Sequence, residues 1–197
     1  MTSGEIFGHL TVAALVFMLL PVTRLGLAAR GAALLAALGL AFVPVAGLSI
    51  GDYTRSYTDD VAITSLLWLL WGVALRVSGR APTPLRQHRQ LALVFAVLAL
   101  ALYPATLGLA AHDPYRLGFS PAPMLAGAWV LCLGLWWMRN ALAVALISLA
   151  TVAYLLDIKD SDNYWDYLVD PLLGLYCCVY LARDGWRRRR GQAAAAL

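Results

Sequence analysis

Five aspartates crowd into the fifteen residues DIKDSDNYWDYLVDP, Asp157 to Pro171, together with Tyr164, Trp165 and Tyr167. Carboxylates grouped this tightly can exchange protons with a substrate, hold a divalent cation, or meet a cationic or hydroxyl-rich partner. Asp162, Asp166 and Asp170 stand four apart, so on one continuous helix they share a face. Like charges at that spacing repel. A cation is therefore expected among them: Lys159, Arg55 or Arg116 from within the chain, or a divalent cation from solution.

A calcium loop of the EF-hand type is not indicated. Counting from Asp160, Tyr164 stands at the fifth position, and the sixth and twelfth lack the glycine and the acid. Aromatic faces alternating with Asp162 and Asp166 suit a glycan. The plainer expectation for the same residues is a belt of rings at a membrane interface.

Two further stretches repeat the composition. GDYTRSYTDD contributes Asp52, Tyr53, Arg55, Asp59 and Asp60, and HDPYRLGFSP contributes His112, Asp113, Tyr115 and Arg116. The candidate binding residues are Asp162, Tyr164, Trp165, Asp166, Tyr167, Tyr53, Arg55, His112 and Arg116. The candidate acid–base residues are Asp52, Asp60, Asp166 and Asp170. No cofactor is expected.

Other chemistry-bearing residues are fewer. GLSIG, Gly47 to Gly51, matches the G-x-S-x-G pattern, in which a strand-to-helix turn lifts a nucleophilic serine. Here it is expected to end an apolar helix, outside that context, with Ser49 serving helix contact. Cys132, Cys177 and Cys178 fall inside apolar segments and read as packing, with no disulfide framework. His9 lies in the first apolar segment, where an ionisable group invites a functional reading. The basic stretch RVSGRAPTPLRQHRQ, with His88 inside it, reads as a topology signal that touches anionic lipid rather than as a nucleic-acid surface.

The elements that carry these residues are set by hydropathy. Of the 197 residues, 61% are hydrophobic and 13% charged, where soluble domains average about half and a quarter. The apolar residues fall in seven blocks, roughly 6–22, 31–50, 61–75, 91–111, 122–138, 141–156 and 171–186. Backbone groups cannot stay unpaired in lipid, so each block is expected to be a helix. The fold expected is all-α, a polytopic membrane bundle of about seven transmembrane helices. Residues 1–186 would form one domain, and 187–197 a basic, then alanine-rich tail.

Alternating the linkers between two sides separates the charge. Twelve of the fifteen bases, including Arg187 to Arg190, share one side with a single acid, Asp184. The other side takes ten acids and the bases Arg55, Arg116 and Lys159. Basic short loops stay cytoplasmic, which puts the N-terminus outside and the C-terminus inside. The first block lacks the basic start of a cleaved signal peptide. Fourteen arginines against one lysine suit a GC-rich bacterium and hence its inner membrane. Asp59 and Asp60 are expected to cap the third helix, and Asp170 with Pro171 the last.

No Asp, Glu, Lys or Arg lies at mid-block, which argues against ion-coupled transport. The expected role is an accessory or assembly subunit in a cell-envelope process, docking a protein or a glycan on an acidic outer platform. An enzyme acting on a lipid-linked substrate is the alternative, and a small-solute transporter the third reading.

Overall fold

The computed structural model describes residues 3–58, 60–109 and 113–195. In chain order the elements are α1 (Ser3–Leu19), α2 (Leu27–Ala41), the strands β1 (Pro44–Val45) and β2 (Leu48–Ser49), α3 (Ile50–Thr58), α4 (Ile63–Ser78), α5 (Leu85–Thr106), α6 (Pro121–Trp137), α7 (Ala141–Leu155), α8 (Trp165–Leu168) and α9 (Pro171–Ala195). Helix dominates, and α1, α2, α4, α5, α6, α7 and α9 fall on the seven apolar blocks.

Seven full-length spans are not supported. Only Leu85–Thr106 is both long and apolar enough to cross a bilayer unaided, among the described residues. The helices α1, α2, α4, α6 and α7 have 15 to 17 residues. At about 1.5 Å per residue they fall short of a hydrocarbon core about 30 Å thick. Helix α9 reaches 25 residues by continuing through the arginine run, so the basic tail is helical through Ala195.

The second block ends earlier than hydropathy suggests. Proline disfavours helix at the residue before it, and the chain leaves α2 at Ala41, ahead of Pro44. It turns through Ala46 and Gly47, both with positive φ (47° and 96°), to pair Val45 with Leu48. Two positive φ values suit a two-residue hairpin turn. Pro44 therefore sits beyond α2, at the start of β1. The third helix block is also capped differently: Ala62 occupies the N-cap of α4, with no side-chain cap bond. Asp60 pairs elsewhere, and Asp59 lies outside the described residues.

The chain divides into two compact units, Met1–Pro82 with Leu146–Leu168, and Thr83–Ala145 with Val169–Leu197. In the first, α1 packs against α2, α3 and α4. Ala14, Phe17, Val22, Ala37 and Val73 form one buried cluster, and Val12, Ala13 and Ala41 another. Small residues on α1 let neighbours approach closely. A Cβ on Gly8 would lie 3.1 Å from the Gly51 carbonyl oxygen. At the far end of α1, Arg76 donates to the carbonyls of Phe17, Met18 and Leu20, and Arg30 donates to those of Arg76 and Thr23. Two arginines thus add side-chain donors to carbonyls around these helix ends.

In the second unit, α5 and α9 pack closely where Gly174 meets Ala99: a Cβ on Gly174 would lie 2.6 Å from the Ala99 methyl. Tyr103 donates to the Val169 carbonyl at 3.1 Å, and Arg89 pairs with Asp184 at 2.8 Å. Arg139 turns the chain with φ 57°, after which the buried Asn140 caps α7 by accepting from the Ala143 amide at 3.1 Å.

Candidate functional site

The acidic segment after α7 is not a loose loop. Lys159 is buried, and its ammonium donates to the carbonyls of Asp60 at 2.8 Å, Val61 at 3.2 Å and Asp166 at 2.9 Å. It thereby ties the segment to the turn ahead of α4. The Tyr167 hydroxyl accepts from the Lys159 amide at 3.1 Å and donates to the Lys159 carbonyl at 3.0 Å. Burial pushes that hydroxyl's pKa up. Tyr164 shares a 2.5 Å hydrogen bond with Thr151, and Thr64 donates to the Leu168 carbonyl at 2.6 Å.

Tyr164, Trp165 and Tyr167 are therefore closed into the fold, with both tyrosines 0% exposed. Their faces are packing surfaces of the cap. The segment's exposed acids are Asp157, Asp160 and Asp162. Helix α8 has only four residues, so Asp162, Asp166 and Asp170 do not share a helix face. Asp166 accepts from the Ser161 hydroxyl at 2.5 Å. Asp170 accepts from the Leu173 amide at 2.7 Å and caps α9, with Pro171 at its first position as the sequence suggests.

A second group lies where α1 meets α3. Asp60 binds Arg55 at 2.7 Å, and this bond first, then burial working against it, sets the guanidinium pKa above its usual value. The pair passes close to Gly4, where a Cβ would lie 2.5 Å from Arg55 Nη2. Arg55 thus supplies Asp60 with the internal cation that its acidic surroundings call for. Tyr53 lies on the same helix and is half-buried.

GLSIG has a structural context that hydropathy hid. Ser49 ends β2 and immediately precedes α3, so the serine does sit at a strand-to-helix junction. Its hydroxyl lies 2.8 Å from His9 Nε2 and 2.6 Å from Asp52 Oδ2. The Asp52 amide donates to Ser49 Oγ at 3.1 Å, and the Ser49 amide donates to Asp52 at 3.2 Å. This reciprocal pair is a capping box with aspartate in the glutamate position. It holds the Asp52 carboxyl below its ordinary pKa, first through the Ser49 hydroxyl. His9 is 4% exposed, stacks on Phe42 with centroids 4.1 Å apart, and places Nδ1 2.6 Å from the Glu5 carbonyl. Gly51 must be glycine here, because a Cβ would lie 2.7 Å from the imidazole ring.

Serine, histidine and aspartate meet, but not in the order that acyl transfer needs. In a hydrolytic triad the acid orients the imidazole and leaves the serine proton to it. Here Asp52 touches the serine, and a backbone carbonyl meets Nδ1. The amide after the serine, one of the two oxyanion donors of such enzymes, instead donates to the Val43 carbonyl at 3.2 Å.

Of the third acidic stretch, Asp113 accepts from the Tyr115 amide at 3.0 Å and caps the 3-10 turn Pro114–Phe119, where Arg116 is exposed. His112 lies outside the described residues. Asp113, Tyr115 and Arg116 belong to the second unit, and Asp52, Asp60, Asp162 and Asp166 to the first. Among the described residues no three of His, Cys, Asp and Glu are arranged to hold a metal ion. Sequence reading missed the approach of His9 to Ser49 across forty positions. The signal available was the glycine pair around Ser49, one needed for a turn and one for a ring. No protein-family model matches the chain, and neither the curated proteins nor the solved structures give a match to it.

Proposed function

We propose that the chain is a multi-pass protein of a bacterial inner membrane that serves as an accessory or assembly subunit, docking a cationic partner at its acidic end. Two features support the membrane. The apolar helices expose large side chains along their lengths, among them Val97 and Leu100 on α5, Trp129 and Val130 on α6, and Leu175 on α9. Extensive exposed apolar surface marks a site of interaction, with lipid among the candidates. Within the first unit, acids gather around Lys159 and Arg55 at one end of α1, while Arg30 and Arg76 work at the other. Short helices are accommodated by local thinning of the bilayer at modest cost.

The observation that carries the docking role is the pinned cap. Lys159, Tyr164 and Tyr167 fix the segment from inside, so Asp157, Asp160 and Asp162 are presented on an ordered support. A preorganised surface loses little freedom on binding. The glycan reading is weaker, since the rings that would stack on sugars are buried. The enzyme reading is also weaker, since Asp52, Asp60, Asp166 and Asp170 each already serve a structural partner.

The experiment is photo-crosslinking in native membranes from a residue placed at position 161. A defined partner should be captured by the parent chain and lost when Asp157, Asp160 and Asp162 are all changed to Asn, with the fold intact. An identical crosslinking pattern from the triple variant removes the docking role.

A further inference from the structure

The contacts among His9, Ser49 and Asp52 constrain where protons can be. Glu5 offers a carbonyl, which only accepts, so at 2.6 Å His9 Nδ1 must carry hydrogen. Ser49 has one hydroxyl hydrogen, yet its oxygen lies within hydrogen-bond distance of both His9 Nε2 and Asp52 Oδ2. A neutral imidazole protonated on Nδ1 presents a bare lone pair at Nε2. With an ionised Asp52, one of the two short contacts would then hold no hydrogen. An imidazolium resolves this: Nε2–H donates to Ser49 Oγ, and the hydroxyl donates to the carboxylate. The arrangement with a neutral imidazole and a protonated Asp52 has the same number of protons. It is disfavoured because Asp52 Oδ2 also accepts the Ser49 amide, and such bonds favour the ionised acid.

We infer that His9, Ser49 and Asp52 form a proton-binding site that latches α3 to α1. The occupied state is an imidazolium and a carboxylate bridged by one hydroxyl. Charges facing this site come from three directions. Glu5 lies one turn away on α1, Arg55 follows on α3, and Asp60 holds Arg55 beside Gly4. The other neighbours of α1 carry one charged residue each, Arg30 on α2 and Arg76 on α4, and both are engaged with carbonyls at its far end. Among the described residues, the imidazolium therefore meets Asp52 through Ser49 with no opposing cation directly on it. Losing its proton removes the Nε2 donor and leaves the Ser49 hydroxyl to serve only one of its two neighbours. The contact between α1 and α3 weakens, and the GDYTRSYT helix loosens. The site shares no residue with Asp157, Asp160 and Asp162, and none of its tests reads partner capture, so it stands or falls independently of the docking role.

The test uses the full chain in lipid nanodiscs with 15N-labelled histidine, assigning His9 among the three histidines by its loss in H9N. The sample is titrated upward from about pH 5 until His9 loses a ring proton. Protection of the α3 amides from hydrogen exchange is followed in parallel. The expected result is an imidazolium at the start. Loss of its proton should be accompanied by a roughly tenfold fall in the α3 protection factors, each taken against the intrinsic exchange rate at that pH, the effect of one charge-assisted hydrogen bond. S49A and D52N should remove that step. A neutral His9 at the start, or α3 protection factors that ignore the titration, overturns the proposal in the parent chain alone. So does a folded S49A that keeps the same step.

Discussion

Changing Lys159 to Met keeps an unbranched apolar stem while removing the ammonium and its three donors. The carbonyls of Asp60, Val61 and Asp166 then lose the partner that lies 2.8 to 3.2 Å away. A buried acceptor left without a partner costs about 1–3 kcal/mol, and the three losses are not additive, because the segment can relax. A net destabilisation of about 3 kcal/mol is expected. Part of the cost of burying an ammonium is recovered in the variant, which is why the figure is not larger. The loss should be local. Amides of residues 158–168 should exchange about a hundredfold faster, since 3 kcal/mol is a little over two decades. Amides of α2 should be unaffected. Hydrogen exchange read by mass spectrometry in nanodiscs measures both. Unchanged protection of 158–168 in K159M would show that the ammonium does not hold the cap.

Other consequences follow from single contacts. G51A drives a methyl into the imidazole of His9 and should cost about 1–3 kcal/mol, as overpacking does; in the double variant with H9A most of that cost should disappear, measured by denaturation of both singles and the double. Asp52 has a lowered pKa when folded, so it adds stability above the unfolded value near 3.8 and loses it as pH falls through the folded value. D52N should therefore flatten the acid limb of the thermal-stability profile, which circular dichroism can follow. D170A removes the cap of α9 and should destabilise its first turn by about 1 kcal/mol, read from exchange of the Leu173 and Gly174 amides. G174L places a branched side chain where even a Cβ lies 2.6 Å from Ala99, and should separate α5 from α9, seen as loss of a crosslink between cysteines placed on them.

Hydropathy located the seven apolar helices because long runs of Leu, Ala and Val bury or cover best as helix, whose backbone groups pair within the segment. It could not locate α3. That helix is short and polar, and its start depends on the side chains of Ser49 and Asp52 rather than on an apolar stripe. Pro44 and the Ala46–Gly47 turn break the second block, which hydropathy ran on to residue 50. The acids of DIKDSDNYWDYLVDP were legible as a cluster, and Asp170–Pro171 as a cap. The direction of the rings was not, because it depends on Thr151 and on the carbonyls that Lys159 gathers from a turn about a hundred residues earlier. Composition offered Lys159, Arg55 and Arg116 as internal cations, and Arg116 instead stands exposed on the turn Pro114–Phe119. Which partners the other two chose was a matter of tertiary geometry: carbonyls for Lys159, a carboxylate for Arg55.

The proposed separation of acids from arginines across a bilayer is tested most directly by cysteine accessibility in intact cells, on a background lacking the three native cysteines. D162C should react with a membrane-impermeant maleimide added outside. R80C should react only after the membrane is opened, and Y164C should stay unreactive in folded protein. Labelling of D162C and R80C together in intact cells, or of neither until lysis, would contradict the two-sided arrangement.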